Sequence, residues 1–326
     1  MSFSAELGEF LARVGHVVAG LDVRLSPLHI LGMVLLAAVV YWRRGTTESF
    51  LAWLFPARIY RHRSHLVDIK LFFVGRGLAL LGLFNALAVT SFATGAALTA
   101  VGGEIAAESA WHPLLITVVV VLANDFSVYW VHRMHHESGV FWPFHAVHHS
   151  AEVLTPVTAY RKHPVYDCIS QVVRSCIVGA VQGVLLGLFV GKLELTTIVG
   201  TNALYFAFNF FGSNLRHSHI WISYGPLLER ILIAPAQHQI HHSLELKHRN
   251  KNYGEIFALW DWAFGTLYVT SAREDLAFGI SDDEGVAISQ PHGTLGEALV
   301  VPFRDSWRAL RGDTAPETAD TPTTSL

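Results

Sequence analysis

The chain has 326 residues, 52% of them hydrophobic and only 15% charged, with a mean hydropathy of +0.38 and a net charge of −3. Such a composition suits a bilayer rather than water, and Lys and Arg confined to short clusters exclude a broad nucleic-acid surface. Cys168 and Cys176 share one apolar stretch without zinc-finger spacing, which excludes a disulfide framework and a zinc module.

The first segment, MSFSAELGEF, is acidic and amphipathic, lacks the basic region of a signal peptide and is expected to stay attached. A helix needs roughly 20 apolar residues to cross the hydrocarbon core. Stretches at 28–42, 71–101, 113–131, 172–190 and 195–212 approach or meet that length. The first is short, begins at Pro27 and ends at Arg43 and Arg44, and reads as a span or a shallow insertion. The second is long enough to cross with tilt. Arg43, Arg44, Arg58, Arg61, Arg63 and Lys70 follow the first stretch, whereas the segment before the third holds no Lys or Arg, so the first loop is expected in the cytoplasm. Counting through five crossings brings His132, the 145–149 cluster, His217 and the 238–242 cluster to that same side, with Lys192 opposite as the one exception. The predicted architecture is all-α, a membrane bundle of four to five spans under a cytoplasmic helical cap. It divides into an N-terminal membrane region at 1–112, a catalytic region at 113–270 and a C-terminal extension at 271–326 that ends in a disordered Thr-, Ala-, Pro- and Asp-rich tail.

Nineteen histidines demand a chemical reason. His132 and His136 are four apart, so a continuing helix projects both from one face, one turn separated. His145, His148 and His149 repeat the pattern at i, i+3 and i+4, and so do His238, His241 and His242. These eight rings exceed one ion's needs and point to a dinuclear centre. Imidazole alone does not choose among iron, copper, zinc and nickel, and two iron ions with O₂ are the preferred reading. His135 is left out of the set, and His16, His29, His62, His65, His112, His248 and His292 are read as ordinary buried or interfacial histidines.

Three blocks then carry a resemblance: DFSVYWVHRMHHE, FHAVHHSAEVLTPVTAYRKHP, and HQIHHS followed by NYGEIFALWDWAFGTLYV. Over about residues 115–270 the chain resembles the fatty acid hydroxylase and sterol desaturase superfamily of membrane proteins. The resemblance implies a four-helix membrane core, a cytoplasmic cap holding two irons and an apolar channel for a lipid tail. It carries ligand roles onto the eight histidines above, which are also the expected catalytic set. A further ligand is expected from NLRHSHI, where His217 is preferred over His219, and His163 in the Arg-x-His-Pro element is a ligand or a supporting group. Asp125, Glu137 and Asp261 are candidates to accept hydrogen bonds from ligand rings, or to serve as caps and salt bridges. Tyr129, Trp130, Trp142 and Trp260 are candidates for a lipid entrance or interfacial anchors.

The expected reaction is O₂-dependent hydroxylation or desaturation of a lipid: a sterol, fatty acyl chain, sphingoid base, carotenoid or ether lipid. No GxGxxG unit, cytochrome-like module or Cys cluster is present in the sequence, so electrons are expected from a separate reductase with a ferredoxin or cytochrome. The expected location is the bacterial inner membrane or the endoplasmic reticulum. A histidine-rich metal transporter and a nonenzymatic lipid-binding relative are the alternatives; transporters set their ligands near the bilayer midplane, whereas these clusters fall at or beyond helix ends.

Overall fold

The structure is a computed structural model and describes residues 3–20, 23–83, 87–106, 111–190, 195–210 and 212–312. The helices in chain order are α1 (Phe3–Ala19), α2 (Pro27–Arg44), α3 (Phe50–Leu54), α4 (Ala57–Tyr60), α5 (Arg63–Leu80), α6 (Leu87–Ala100), α7 (Pro113–Glu137), α8 (Trp142–His149), α9 (Pro164–Leu188), α10 (Leu195–Phe210), α11 (Pro235–His241), α12 (Leu259–Ala263) and α13 (Leu295–Arg311). Among the described residues there is no strand, only isolated bridges such as Leu232 to Phe257. Lys192 and the tail from 313 onward lie outside the described residues.

Among the described residues two helices, α7 and α9, are long and apolar enough to cross a membrane, and α6 is a shorter apolar helix. Both long helices open the same way: Pro113 and Pro164 stand in the first turn, and the imidazoles of His112 and His163 accept the N–H two residues on, at 3.2 and 3.1 Å. Proline costs nothing there because that N–H has no partner within the helix, and the ring nitrogen caps the next donor. The helices run antiparallel, since Ile116 packs against Leu185 at one end while His135 meets Tyr166 at the other. Leu114, Leu115, Val118, Val172 and Leu188 are exposed on their outer faces.

The apolar stretch at 71–101, expected as one span, is two helices. The chain breaks after α5 at Gly82, whose φ of +77° takes the left-handed backbone that interrupts a helix. Both pieces still run one way, because α5 begins beside the start of α9 and α6 then advances with α9. Thr90, Thr94 and Val101 successively meet Gly179, Gly183 and Gly187. The small faces let the two backbones nearly touch.

The first expected span, α2, is tied at both ends. Arg24, just before it, pairs with Glu255, and Arg44 at its end donates to the Trp221 carbonyl at 2.9 Å. Between these ties Met33 and Ala37 pack on Leu54, Leu215 and Ile220. Both ends therefore meet the histidine-bearing segments. The start of α5, the end of α7, the start of α9 and the end of α10 converge on that same side.

Candidate metal centre

Nine imidazoles gather into two groups, His132, His136, His145, His149 and His241 in one, His148, His217, His238 and His242 in the other. Within each group one ligand-type nitrogen per residue lies within 4.8 Å of all the others. Helical spacing sorts them. Each i, i+4 pair (132/136, 145/149 and 238/242) serves a single group because its two rings share a face, while the intervening His148 and His241 turn to the other group. His217 joins from the turn after α10. Pro143 and Pro235 start α8 and α11, and the Gln237 side chain accepts the Ala234 N–H at 2.8 Å, so both short helices are fixed at their first turn.

The four-histidine group tests whether an ion fits. His217 Nε2 lies 3.2 Å from His148 Nε2 and 3.1 Å from the Nε2 atoms of His238 and His242, which are 3.3 Å apart from each other. One ring nitrogen carries one proton or one lone pair and cannot satisfy three such neighbours as hydrogen bonds. Imidazole nitrogens about 2.0–2.1 Å from a shared ion sit about 3.0–3.4 Å apart, which is the spacing found. In the five-histidine group, Nε2 of His136, His149 and His241 and both nitrogens of His145 are buried without hydrogen-bond partners. There the rings of His132, His145, His149 and His241 form a closed circuit of contacts at 4.6–4.9 Å, and His136 touches all four. His136 therefore caps one face of the circuit.

Burial pushes the imidazoles of His145, His148, His149, His217 and His238 well below their ordinary pKa, neighbouring imidazoles adding to the shift, and brings His241 and His242 to about 3. At neutral pH these rings are uncharged, with lone pairs free. The groups hold nitrogen donors alone, and the fit favours a metal that accepts imidazole.

His163, expected as a ligand or its support, lies outside both groups. Its Nδ1 accepts the Val165 N–H and its Nε2 meets the Leu299 carbonyl at 3.1 Å, so it caps α9 and holds α13. His219 likewise lies outside, with Nε2 against the Trp53 carbonyl at 2.8 Å.

Residues 117–266 match the family model described as Fatty acid hydroxylase, the same segment that holds all nine clustered histidines. Over that segment the chain is similar to members of the fatty acid hydroxylase and sterol desaturase superfamily. Human alkylglycerol monooxygenase is 31% identical over 49% of the chain and 32% of its own length. Ornithine lipid hydroxylase OlsE of Rhizobium tropici is 26% identical over 59% of the chain and 54% of itself. A Delta(7)-sterol 5(6)-desaturase of Aspergillus fumigatus is 27% identical over 56% of the chain and 61% of itself. The chain thus spans about a third to three fifths of these relatives. No solved structure matches it.

At the acids around this site the structure takes the cap and salt-bridge alternative. Asp125 accepts the Ile256 and Phe257 N–H groups and Trp260 Nε1 at 2.9–3.2 Å, Asp261 accepts the Tyr253 and Gly254 N–H groups and the Thr266 hydroxyl at 2.6–2.8 Å, and Glu137 pairs with Arg133. None accepts from a ligand ring. Backbone carbonyls do so instead: Tyr253 O meets His132 Nδ1 at 2.8 Å and Lys251 O meets His241 Nδ1 at 2.7 Å, leaving each Nε2 available to a metal. A neutral carbonyl is less costly to bury than a carboxylate. The loop is aimed by Asn250 and Asn252, at φ 59° and 57°, a left-handed region that Asn tolerates. Gly254 is required because a Cβ there would lie 2.5 Å from the Phe257 carbonyl.

A cavity of about 290 Å³ touches His132, His145, His148, His217 and His238 and runs between α5 and α9. Leu71, Phe72, Val128 and Val131 give it an apolar wall, but Arg24, Arg76, Lys162, Arg174 and Arg216 also line it, so it is not the apolar channel expected. Tyr129 and Trp130 pack against Phe264 and Trp260 against Phe126, a buttress between α7 and α12, while Trp142 packs on His136 and His149.

Proposed function

We propose that the chain is an integral membrane oxidoreductase that hydroxylates or desaturates a lipid, holding two irons and drawing electrons from a separate donor protein. The observation that carries this reading is the pair of convergent, neutral, carboxylate-free imidazole groups beside one cavity. The named relatives are a monooxygenase, a hydroxylase and a desaturase of lipids. In this reading α5 with α6, α7, α9 and α10 supply four crossings, α2 lies shallow, and the histidines occupy the cytoplasmic end.

His132, His136, His145, His149 and His241 would hold one ion, and His148, His217, His238 and His242 the other. Bound iron would supply O₂ reduction and attack on an unactivated C–H bond, for which the side chains have no group of their own. The protein's part is positional. The Lys251 and Tyr253 carbonyls fix two ring tautomers, and the cavity wall of Leu71, Phe72 and Val131 excludes water beside His132, His145 and His148.

The test is metal content and O₂ uptake of detergent-purified protein expressed with ample iron and given a reductase system. About two irons per chain are expected, as one ion per histidine group. In His148→Ala and His241→Ala, iron and lipid-dependent O₂ uptake should fall together. Stoichiometric zinc, or no uptake with any lipid pool, would remove the proposal.

A further inference from the structure

The cavity beside the histidines contains more positive charge than its own acids balance. Five basic side chains line it, Arg24, Arg76, Lys162, Arg174 and Arg216, against two acidic ones, Asp167 and Glu255, an excess of three. Arg24 pairs with Glu255, and Lys162 lies 3.8 Å from Asp167. Among the described residues the remaining three make no ion pair. Arg76 donates to the Val17 carbonyl, Arg174 to the Asn124 side-chain oxygen at 3.2 Å, and Arg216 to the carbonyls of Ile233 and Glu255. The Nε–H groups of Arg76 and Arg174 are buried with no partner at all.

Position sharpens the anomaly. Arg76 stands thirteen residues into α5 and Arg174 ten residues into α9, both in segments read as crossing the membrane. A guanidinium at that depth is costly, and residues that bear the cost face a cavity with a function. Burial pushes the Glu255 carboxyl up, but Arg24, Arg174, Arg216 and Lys162 together outweigh burial and hold it below its ordinary range.

We infer that this cavity binds the anionic headgroup of the lipid substrate, a phosphate or carboxylate oxyanion gripped by Arg76, Arg174 and Arg216, with the carbons next to that headgroup presented to the histidine centre. Guanidinium forks match either oxyanion. At about 290 Å³ the cavity has room for about ten water molecules, enough for a headgroup and the first few carbons. The rest of the lipid leaves between α5 and α9 toward the bilayer, past Phe72 and Ser170. The inference rests on the oxygenase reading for what happens to the lipid, and on the cavity alone for which lipid binds.

The experiment uses full-length, iron-loaded protein in phosphatidylcholine nanodiscs, titrated by calorimetry with dioctanoyl phosphatidylglycerol, decanoate and neutral dioctanoylglycerol. One of the two anionic probes should bind at least about tenfold tighter than the neutral one, and which one names the oxyanion. Arg76→Gln and Arg174→Gln should each erase about tenfold of that preference while leaving the neutral probe and the iron content unchanged, and Arg174→Lys should restore part of it. Equal binding of all three probes, or iron-replete Gln variants that keep the preference, would overturn the inference. If the arginine-dependent preference persists in protein that holds no iron and takes up no O₂, the headgroup site stands and the oxygenase reading fails. Intact O₂ uptake without the preference means the reverse, an oxygenase whose cavity does not select an anionic headgroup.

Discussion

Asn252 sets both the backbone and two hydrogen bonds: its side chain accepts the Tyr268 N–H at 2.8 Å and donates to the Gln237 carbonyl at 3.2 Å. Asn252→Ala puts a Cβ without those bonds in a left-handed conformation and is expected to cost about 2–3 kcal/mol of stability. Because the Tyr253 carbonyl then loses its aim at His132, metal affinity should drop about tenfold or more. Thermal unfolding and competition with a chelator measure the two effects separately. The histidines themselves were legible because i, i+4 spacing of a rare, metal-binding side chain is chemical information in the sequence. Their partners were not, since the acceptors are main-chain carbonyls of Lys251 and Tyr253, which every residue possesses. His163 departs from its expected role for a reason the sequence does display: a His-Pro pair opening a long apolar run is a helix start, and its ring caps α9.

At the level of helices, the stripe Gly179, Gly183, Gly187 decides how α6 lies on α9. A Cβ at Gly183 would stand 2.3 Å from the Thr94 carbonyl, so Gly183→Val is expected to force the helices apart and destabilise the bundle by about 1–3 kcal/mol. Unfolding in mixed micelles is the measurement, with exposed Val172→Ala as the control that should stay near wild type. Hydropathy found every apolar stretch that became a helix, yet it ran α5 and α6 together. Gly82 is one small residue among leucines, and a left-handed turn leaves no mark on an apolarity plot. Nor could it show what holds the two ends of α2, because their partners, Glu255 and Trp221, are distant in sequence.

Across the whole molecule, the C-terminal extension is tied back through Arg161. This fully buried guanidinium bonds Asp68 at 2.9 Å, the Val147 carbonyl, the Ser150 hydroxyl and the His292 carbonyl, joining α5, α8 and the segment before α13. His292 is itself buried, and burial first, then Arg161, His163 and Arg304, lowers its pKa to about 3 from 6.5. The undocked segment binds a proton below pH 6.5 and the docked one does not, so the docking free energy is present above pH 6.5 and is lost as pH falls from 6.5 toward about 3. Hydrogen exchange of α13 should rise over that window, and His292→Gln should flatten the dependence. The two metal groups should also part under chelator. His132 and His241 in the five-histidine group are oriented by carbonyls, whereas Nδ1 of His148, His217, His238 and His242 finds no acceptor in the protein. The four-histidine group is expected to give up its ion first, in a biphasic release followed by metal analysis.

Neighbours in sequence, His148 with His149 and His241 with His242, point into different groups. The division of ligands is therefore written in single residue steps of about 100° around two short helices. An insertion or deletion of one residue within either motif would turn the histidines after it by about 100° and send them away from the groups they now serve, although the apolar content of the chain would barely register the change. Such a protein can drift freely on its lipid-facing surface while its reading frame at two places of five residues each stays locked.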